Sequence, residues 1–352
     1  MIHLVQLEEV CHGTFETLLN EAWGKNWDDD VAQQIVQWRY YDRPGGAVTW
    51  LAVEEGHCVA MLDSMLRPYL LDGQRVMVRE TADWYCTPTH RSGVGLWLLR
   101  QLALYPDPVI VMGGSSSTVE ILSKLPRSFN MQWMPLPMVS SYVLPIKMRG
   151  LAANLIRQHW WEREKLAVSI PNFLPARKPK RIAAPTSNAA IRLLADDDAV
   201  SVTPPARQGL VQLLETPHWQ WLAKMPHDLA QPLGLLFSLD DKPVGVSFSQ
   251  IEPAATGLDA RIVHLQCQPS HTRWIASETA QFLMQQGVGF IRCCVSSDDK
   301  IEALKDVGFV KAKEVPCHWL PREAPTIPTT IDVSYLRGDD AMPFQALRGR
   351  YV

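Results

Sequence analysis

The feature that most limits how this chain can fold is that its second half repeats its first. Cys86-Thr87-Pro88-Thr89-His90 recurs as Cys267-Gln268-Pro269-Ser270-His271, so that position 86 maps onto 267, a shift of 181. At that shift Trp38 falls on Trp219 and Ser116 on Ser297. Leu235–Leu239 and Val244–Ser249, around Asp240-Asp241-Lys242-Pro243, echo an earlier strand pair around Glu54–His57. Chance could give one such coincidence. Several in register argue for duplication, and a duplicated chain is expected to form two like units. The length of 352 residues also exceeds what one core usually supports.

Within the first unit, residues 2–7 alternate as a strand, and Thr14–Trp23 and Asp28–Trp38 read as amphipathic helices. Val48–Val53 and Cys58–Leu62 form a hairpin; Met65–Leu71 and Arg75–Val78 form another, turning at Asp72-Gly73. A strand ending at Pro88, a glycine turn and an apolar helix follow, then strand Val109–Met112, a serine cluster at Ser115–Ser117 and a short helix through Glu120–Leu125. This order predicts an α+β fold: two tandem domains, each a mixed, mostly antiparallel sheet flanked by helices. The domains are expected at 1–148 and 189–352, joined by 149–188. In the joint, Arg149–Lys165 reads as a helix carrying Leu151, Leu155, Trp160 and Trp161, expected to dock between the domains rather than lie on a membrane. Pro171–Pro185 reads as a semi-extended linker, and Ala324–Val352 as a tail holding a final strand at Ile331–Tyr335.

Charged residues make up 20% of the chain and the net charge is −3, which argues against a nucleic-acid grip and against disorder. No run approaches the roughly 20 apolar residues of a membrane span, and the opening MIHLVQLEEV lacks the regions of a signal peptide. Seven cysteines without paired metal spacing fit a reducing cytoplasm, with Cys293-Cys294 expected in the core. Neither a metal site nor a nucleophile elbow is indicated.

The chemistry is expected at Tyr85–Leu99, where strand, glycine turn and helix follow one another. Such a turn aims backbone N–H groups and the positive end of a helix dipole at one spot, which suits phosphate. Proline, arginine three residues on, then Gly-x-Gly at the head of an apolar helix resembles motif A of the GNAT superfamily of acyl-CoA-dependent N-acyltransferases. Arg91-Ser92-Gly93-Val94-Gly95 is one residue shorter than the usual turn. The resemblance implies acetyl-CoA or a longer acyl-CoA as co-substrate, its pyrophosphate on the amides of Val94, Gly95 and Leu96. Tyr85, Cys86 and Thr87 would line the pantetheine, with a Cys86 or Thr87 amide near the thioester carbonyl. Arg91 would reach the adenosine-side phosphate, and Ser116 in its serine cluster would line the groove.

Amine acylation needs a base and an acid. Glu80 and Asp83 are the nearest carboxylates for the base. The family's usual tyrosine acid is missing, since Ser123 or its neighbours occupy that region, and Tyr142 is the substitute. His90 and its twin His271 are expected to share a structural role. In the second unit the turn reads Thr272-Arg273-Trp274-Ile275-Ala276, with no glycine, so one cofactor site is expected, in the first unit. The implied activity is direct acyl transfer from coenzyme A to an amine or a hydroxyl of a small molecule, a sugar or a protein, with the acceptor in the cleft between the units. One alternative is an aminoacyl transferase resembling the tandem FemABX enzymes, which use charged transfer RNA; the mildly acidic charge and retained glycines weigh against it. Another is a binding or scaffold protein whose GNAT fold has lost catalysis.

Overall fold

The computed structural model describes residues 1–10, 12–23, 29–91, 93–113, 118, 120–122, 133–159, 170–171, 173–200, 202, 208–227, 229–254, 257–321 and 328–334. The first half runs β1 (Ile2–Gln6), α1 (His12–Trp23), α2 (Asp29–Val36), β2 (Val48–Glu54), β3 (His57–Leu71), β4 (Gln74–Cys86), α3 (Val94–Leu102), β5 (Val109–Met112) and β6 (Met134–Pro145). Helix α4 (Met148–His159) leads to the second half: β7 (Ala189–Leu193), β8 (Leu210–Gln212), α5 (Thr216–Ala223), β9 (Gln231–Leu239), β10 (Lys242–Ala254) and β11 (Gly257–Cys267). It closes with α6 (Thr272–Gln285), β12 (Val288–Val295), α7 (Asp298–Val307), β13 (Val310–Leu320) and β14 (Ile331–Asp332).

The hairpins form where the sequence placed them because their turn residues accept left-handed backbone. Glu55 and Gly56 have φ of 51° and 81°, Asp72 and Gly73 of 50° and 82°, and in the second half Asp240 and Asp241 of 48° and 60°. Two successive positive φ angles give the turn whose twist matches paired strands. Pro88 and Pro269 both open a short 3₁₀ turn at the end of equivalent strands, so the repeat is structural.

All these strands join one sheet, twelve of them in the order β1-β2-β3-β4-β5-β13-β6-β12-β11-β10-β9-β7, with β8 branching from β3 and β14 pairing β8. With each second-half strand replaced by its first-half equivalent, the order reads the same from both ends. The halves have exchanged their last strands. β13 pairs with β5 of the first half, β6 pairs with β12 of the second, and β6 and β13 lie antiparallel at the centre. The boundary expected at 148 therefore divides the chain but not the sheet.

One correction to the repeat concerns the tryptophans. Trp38 has Trp221, not Trp219, as its counterpart across this axis. Their rings stack at 5.0 Å, and each indole N–H donates to the other's backbone carbonyl, at 2.8 and 2.7 Å. This pair lies in a core built from both halves, which also holds Phe15, Tyr69 and Tyr85 from the first and Phe248, Val263 and Cys294 from the second. The opposite face carries a separate core in each half, under α3 and under α6 and α7. The joint packs onto the second half: Gly150 of α4 passes so close to Gly289 that a Cβ would lie 2.9 Å from its carbonyl oxygen. Lys180 and Ile182 donate their N–H groups to Val307 O and Ser277 Oγ. Trp160, Trp161 and the tail from Tyr335 lie outside the described residues.

Candidate functional site

In the first half β4 and β5 run parallel and pair at Arg79 with Val109 and Glu80 with Ile110. Beyond that point β4 continues to Cys86 and the two strands part. A bulge marks the opening: Ala82 sits opposite Asp63 but Tyr85 opposite Met61, and the extra residue Asp83 has φ of 46°. The mouth of the gap leads to the head of α3, where Gly93 adopts φ of 119° and a Cβ built on it would meet nothing within 4 Å. Only glycine holds that backbone cheaply, and the space beside it is open.

The neighbouring expectations need correction. Gly95 is a glycine for a different reason: a Cβ there would lie 3.0 Å from Trp84 Nε1 and 3.1 Å from Cys86 Sγ. The strand packs against the helix head, and the Gly95 N–H bonds to the Cys86 sulfur. The Leu96 N–H donates to Gly93 O at 3.0 Å, so it is committed within the turn. Thr87 gives its N–H to Val59 O at 2.9 Å, which withdraws it from a thioester. Of the three turn amides, Val94 has no hydrogen-bond partner among the described residues. Arg91 is exposed beside this turn. Burial pushes the Cys86 thiol up to about 11, so it stays protonated at neutral pH. Ser92, Ser115–Ser117 and Ser123 lie outside the described residues.

Neither expected base is open to an acceptor. Glu80 is 1% exposed. It accepts from Tyr69 Oη at 2.5 Å and Gln212 Nε2 at 2.6 Å, and pairs with the buried Arg67 at 3.2 Å. Asp83 is 5% exposed and accepts from Arg39 Nε and Nη2 at 2.8 and 2.7 Å and from Tyr40 Oη at 2.8 Å. Tyr142 is misplaced as an acid for this gap. It lies on the exchanged strand opposite Cys293 and Lys311, and its side chain is in the second half's own core. His90 is structural, its ring spanning Glu54 at 2.9 Å and Thr87 Oγ1 at 2.7 Å. This bond holds the Glu54 carboxyl below its usual range. His271 keeps the position but not the clamp, for its Nδ1 is buried without a partner.

The sequence reading missed Glu21. It is an exposed carboxylate on α1 that accepts from Tyr85 Oη at 2.8 Å, two residues past the bulge. At the repeat shift Tyr85 maps onto Gln266, whose Nε2 donates to Val202 O at 3.4 Å rather than to a carboxylate. The replacement of Tyr85 by Gln266 was available in the sequence.

The second half has the same opening, with β11 and β12 paired from Leu258 to Ile262 and a bulge just beyond, at Val263–His264. Its turn is filled. Trp274 is buried edge-on against Phe237 at 5.3 Å, and Ile275 packs onto Gly245. Thr272 donates to Asp299 at 3.3 Å, which sets a carboxylate near the helix head where a phosphate would otherwise rest. Among the described residues no group of three or more His, Cys, Asp or Glu is placed to hold a metal, and no helix is long and apolar enough to cross a membrane.

No family model matches the chain, and no curated protein sequence matches it. Solved structures do. A GCN5-related N-acetyltransferase from Anabaena variabilis superposes with TM-score 0.55 at 10% identity, over 91% of this chain and 72% of that one. A tandem GNAT protein from the clavulanic acid biosynthesis pathway gives 0.52 at 11%, over 93% of this chain and all of the other. N-myristoyltransferase of Saccharomyces cerevisiae, solved with bound myristoyl-CoA, gives 0.53 at 11%, over 91% and 82%. The chain thus has the GNAT fold, duplicated in tandem.

Proposed function

We propose that this tandem GNAT-fold chain transfers an acyl group from coenzyme A to an amine, at the first gap alone. The observation that carries this reading is the asymmetry between two equivalent openings. One leads to a left-handed glycine with clear space beside it; the other leads to buried tryptophan and isoleucine. The pyrophosphate would sit at the head of α3, on the Val94 N–H and near Arg91. The pantetheine would run between β4 and β5, its thioester near the bulge, with the acceptor coming from the α1 side. The amine nitrogen bonds to the acyl carbon, the carbon–sulfur bond breaks, and the thiolate takes up a proton. Glu21, held by Tyr85, is the carboxylate proposed to receive the amine's proton, since Glu80 and Asp83 are tied to arginines. Cys86 contributes no covalent step.

Titration calorimetry with acetyl-CoA and a longer acyl-CoA tests this reading, and one site per chain is expected. Two equivalent sites, or none, overturn it. Gly93→Val should abolish binding, because a β-branched residue resists that backbone and fills the open space. Trp274→Gly should create no second site. The scaffold reading is favoured by the locked state of Glu80 and Asp83, and it predicts binding of acyl-CoA without turnover on any amine.

A further inference from the structure

Acyl transfer leaves the gap of the second half unused, yet that gap is occupied. Val295, the last residue of β12, pairs with Ser140 of β6 on one edge and bridges Ser334 on the other. Since β6 takes the first edge, Ser334 stands on the edge facing β11, inside the gap. Its Oγ meets the Nδ1 of His264, the residue next to the bulge in β11, at 2.7 Å. Both its N–H and its hydroxyl donate to Gln212 Oε1, at 3.1 and 3.0 Å. Just upstream, Ile331 and Asp332 pair in parallel with Leu210 and Val211 of β8. Ser296 Oγ accepts from the Val333 N–H and donates to Ile331 O, both at 2.9 Å. Asp332 forms an ion pair with Lys300 of α7 at 2.7 Å, with the two side chains 3% and 4% exposed.

We infer that the second gap is a binding groove for an extended peptide, which this chain fills with its own residues 331–334 as a tethered ligand. The backbone bonds to β8, Ser296 and Gln212 would hold any extended chain. Selection comes from Lys300, which is buried and loses its countercharge when the segment leaves, so an occupant must bring a carboxylate. That carboxylate stands two residues ahead of the one that enters the gap. Ser334 adds a small hydroxyl matched to His264 and Gln212. The apolar Ile331 and Val333, 3% and 0% exposed, face the core shared by the halves. None of this depends on acyl transfer in the first gap.

The test uses the full-length chain and a fluorescent peptide of residues 328–336, PTTIDVSYL. Asp332→Lys in the chain sets two ammonium groups together and should expel the segment. The labelled peptide should then bind that variant one to one, at least a hundredfold tighter than it binds the unaltered chain, and a peptide carrying Asp332→Lys should not bind. A folded Asp332→Lys chain that ignores the peptide, or an unaltered chain that binds it equally well, overturns the inference. Should that variant fail to fold, Ser334→Ala decides by hydrogen exchange. The Val333 amide should exchange at least tenfold faster than in the unaltered chain while the β11 amides stay protected. No local change overturns the inference.

Discussion

The two halves share a fold and a point of opening but keep their gaps in shape by different means. In the first, the strands around the gap are braced by three buried ion pairs, Arg39 with Asp83 at 2.7 Å, Arg43 with Asp63 at 2.6 Å and Arg67 with Glu80 at 3.2 Å, and by a half-buried one, Arg79 with Asp107 at 2.9 Å. In the second, Glu252 lies 3.7 Å from Arg261 and Asp259 3.5 Å from Arg292, and a length of chain lies in the opening as well. The residues at the two bulges show the contrast most plainly. Asp83 is fixed by Arg39 and Tyr40 from the segment after α2, whereas His264 is fixed by the segment that fills its gap. The second gap is supported by the chain that lies in it.

The sharpest way to break this comparison is at Glu21, the carboxylate proposed as the base of the first gap. Glu21→Gln should lower turnover with an amine acceptor by about 10²–10⁴-fold. Acyl-CoA affinity by calorimetry should not change, and Val202→Glu should add no activity. Next in size, Arg67→Met removes the guanidinium that pairs with the buried carboxylate of Glu80. Urea unfolding should show a loss of about 3–5 kcal/mol. Arg261→Met, at the longer pair, should cost less.

Acid should separate the halves more gently. His218, His264 and His318 all lie in the second half, and burial is the leading cause that lowers each, His218 to about 3. Their folded values lie below the unfolded value of about 6.5, so this share of stability is complete above pH 6.5. It falls as the pH drops below that point, by at most about 1.4 kcal/mol per pH unit for each ring, and levels off for His218 near its folded value of about 3. Unfolding curves at pH 7 and pH 5 measure the slope, and His264→Gln should remove one ring's share. The smallest effect belongs to the exposed contact across the halves, Arg75 with Glu215 at 2.9 Å. Arg75→Ala should change stability by about 0–1 kcal/mol.

Local features were legible in the sequence and non-local ones were not. The hairpins at Glu55-Gly56 and Asp72-Gly73 follow from the turn residues themselves, and Pro88 over Pro269 from the repeat. The strand exchange leaves no local mark, because β6 and β13 read as strands whichever half they join. Tyr142 was misassigned for this reason. Gly93 was legible because a strained φ calls for glycine, while Gly95 could be read as phosphate-facing only because the approach of Trp84 and Cys86 is a tertiary fact. The lock on Glu80 likewise needs Gln212, which is 132 positions away.

The exchanged strands also set the order of events when the chain is made. β6 is complete at residue 145, but β13, which belongs between β5 and β6, begins at residue 310, 165 positions later. At the roughly 5–20 residues per second of a ribosome, the first half waits for about ten to thirty seconds with the edge of β5 unpaired. An exposed edge is a template for any strand that fits it. Because the sheet reads alike from both ends, the β6 of a neighbouring nascent chain fits as well as the β13 still to come. Crowded polysomes therefore favour entangled pairs of chains, and dilution or a chaperone that shields β5 favours the single one.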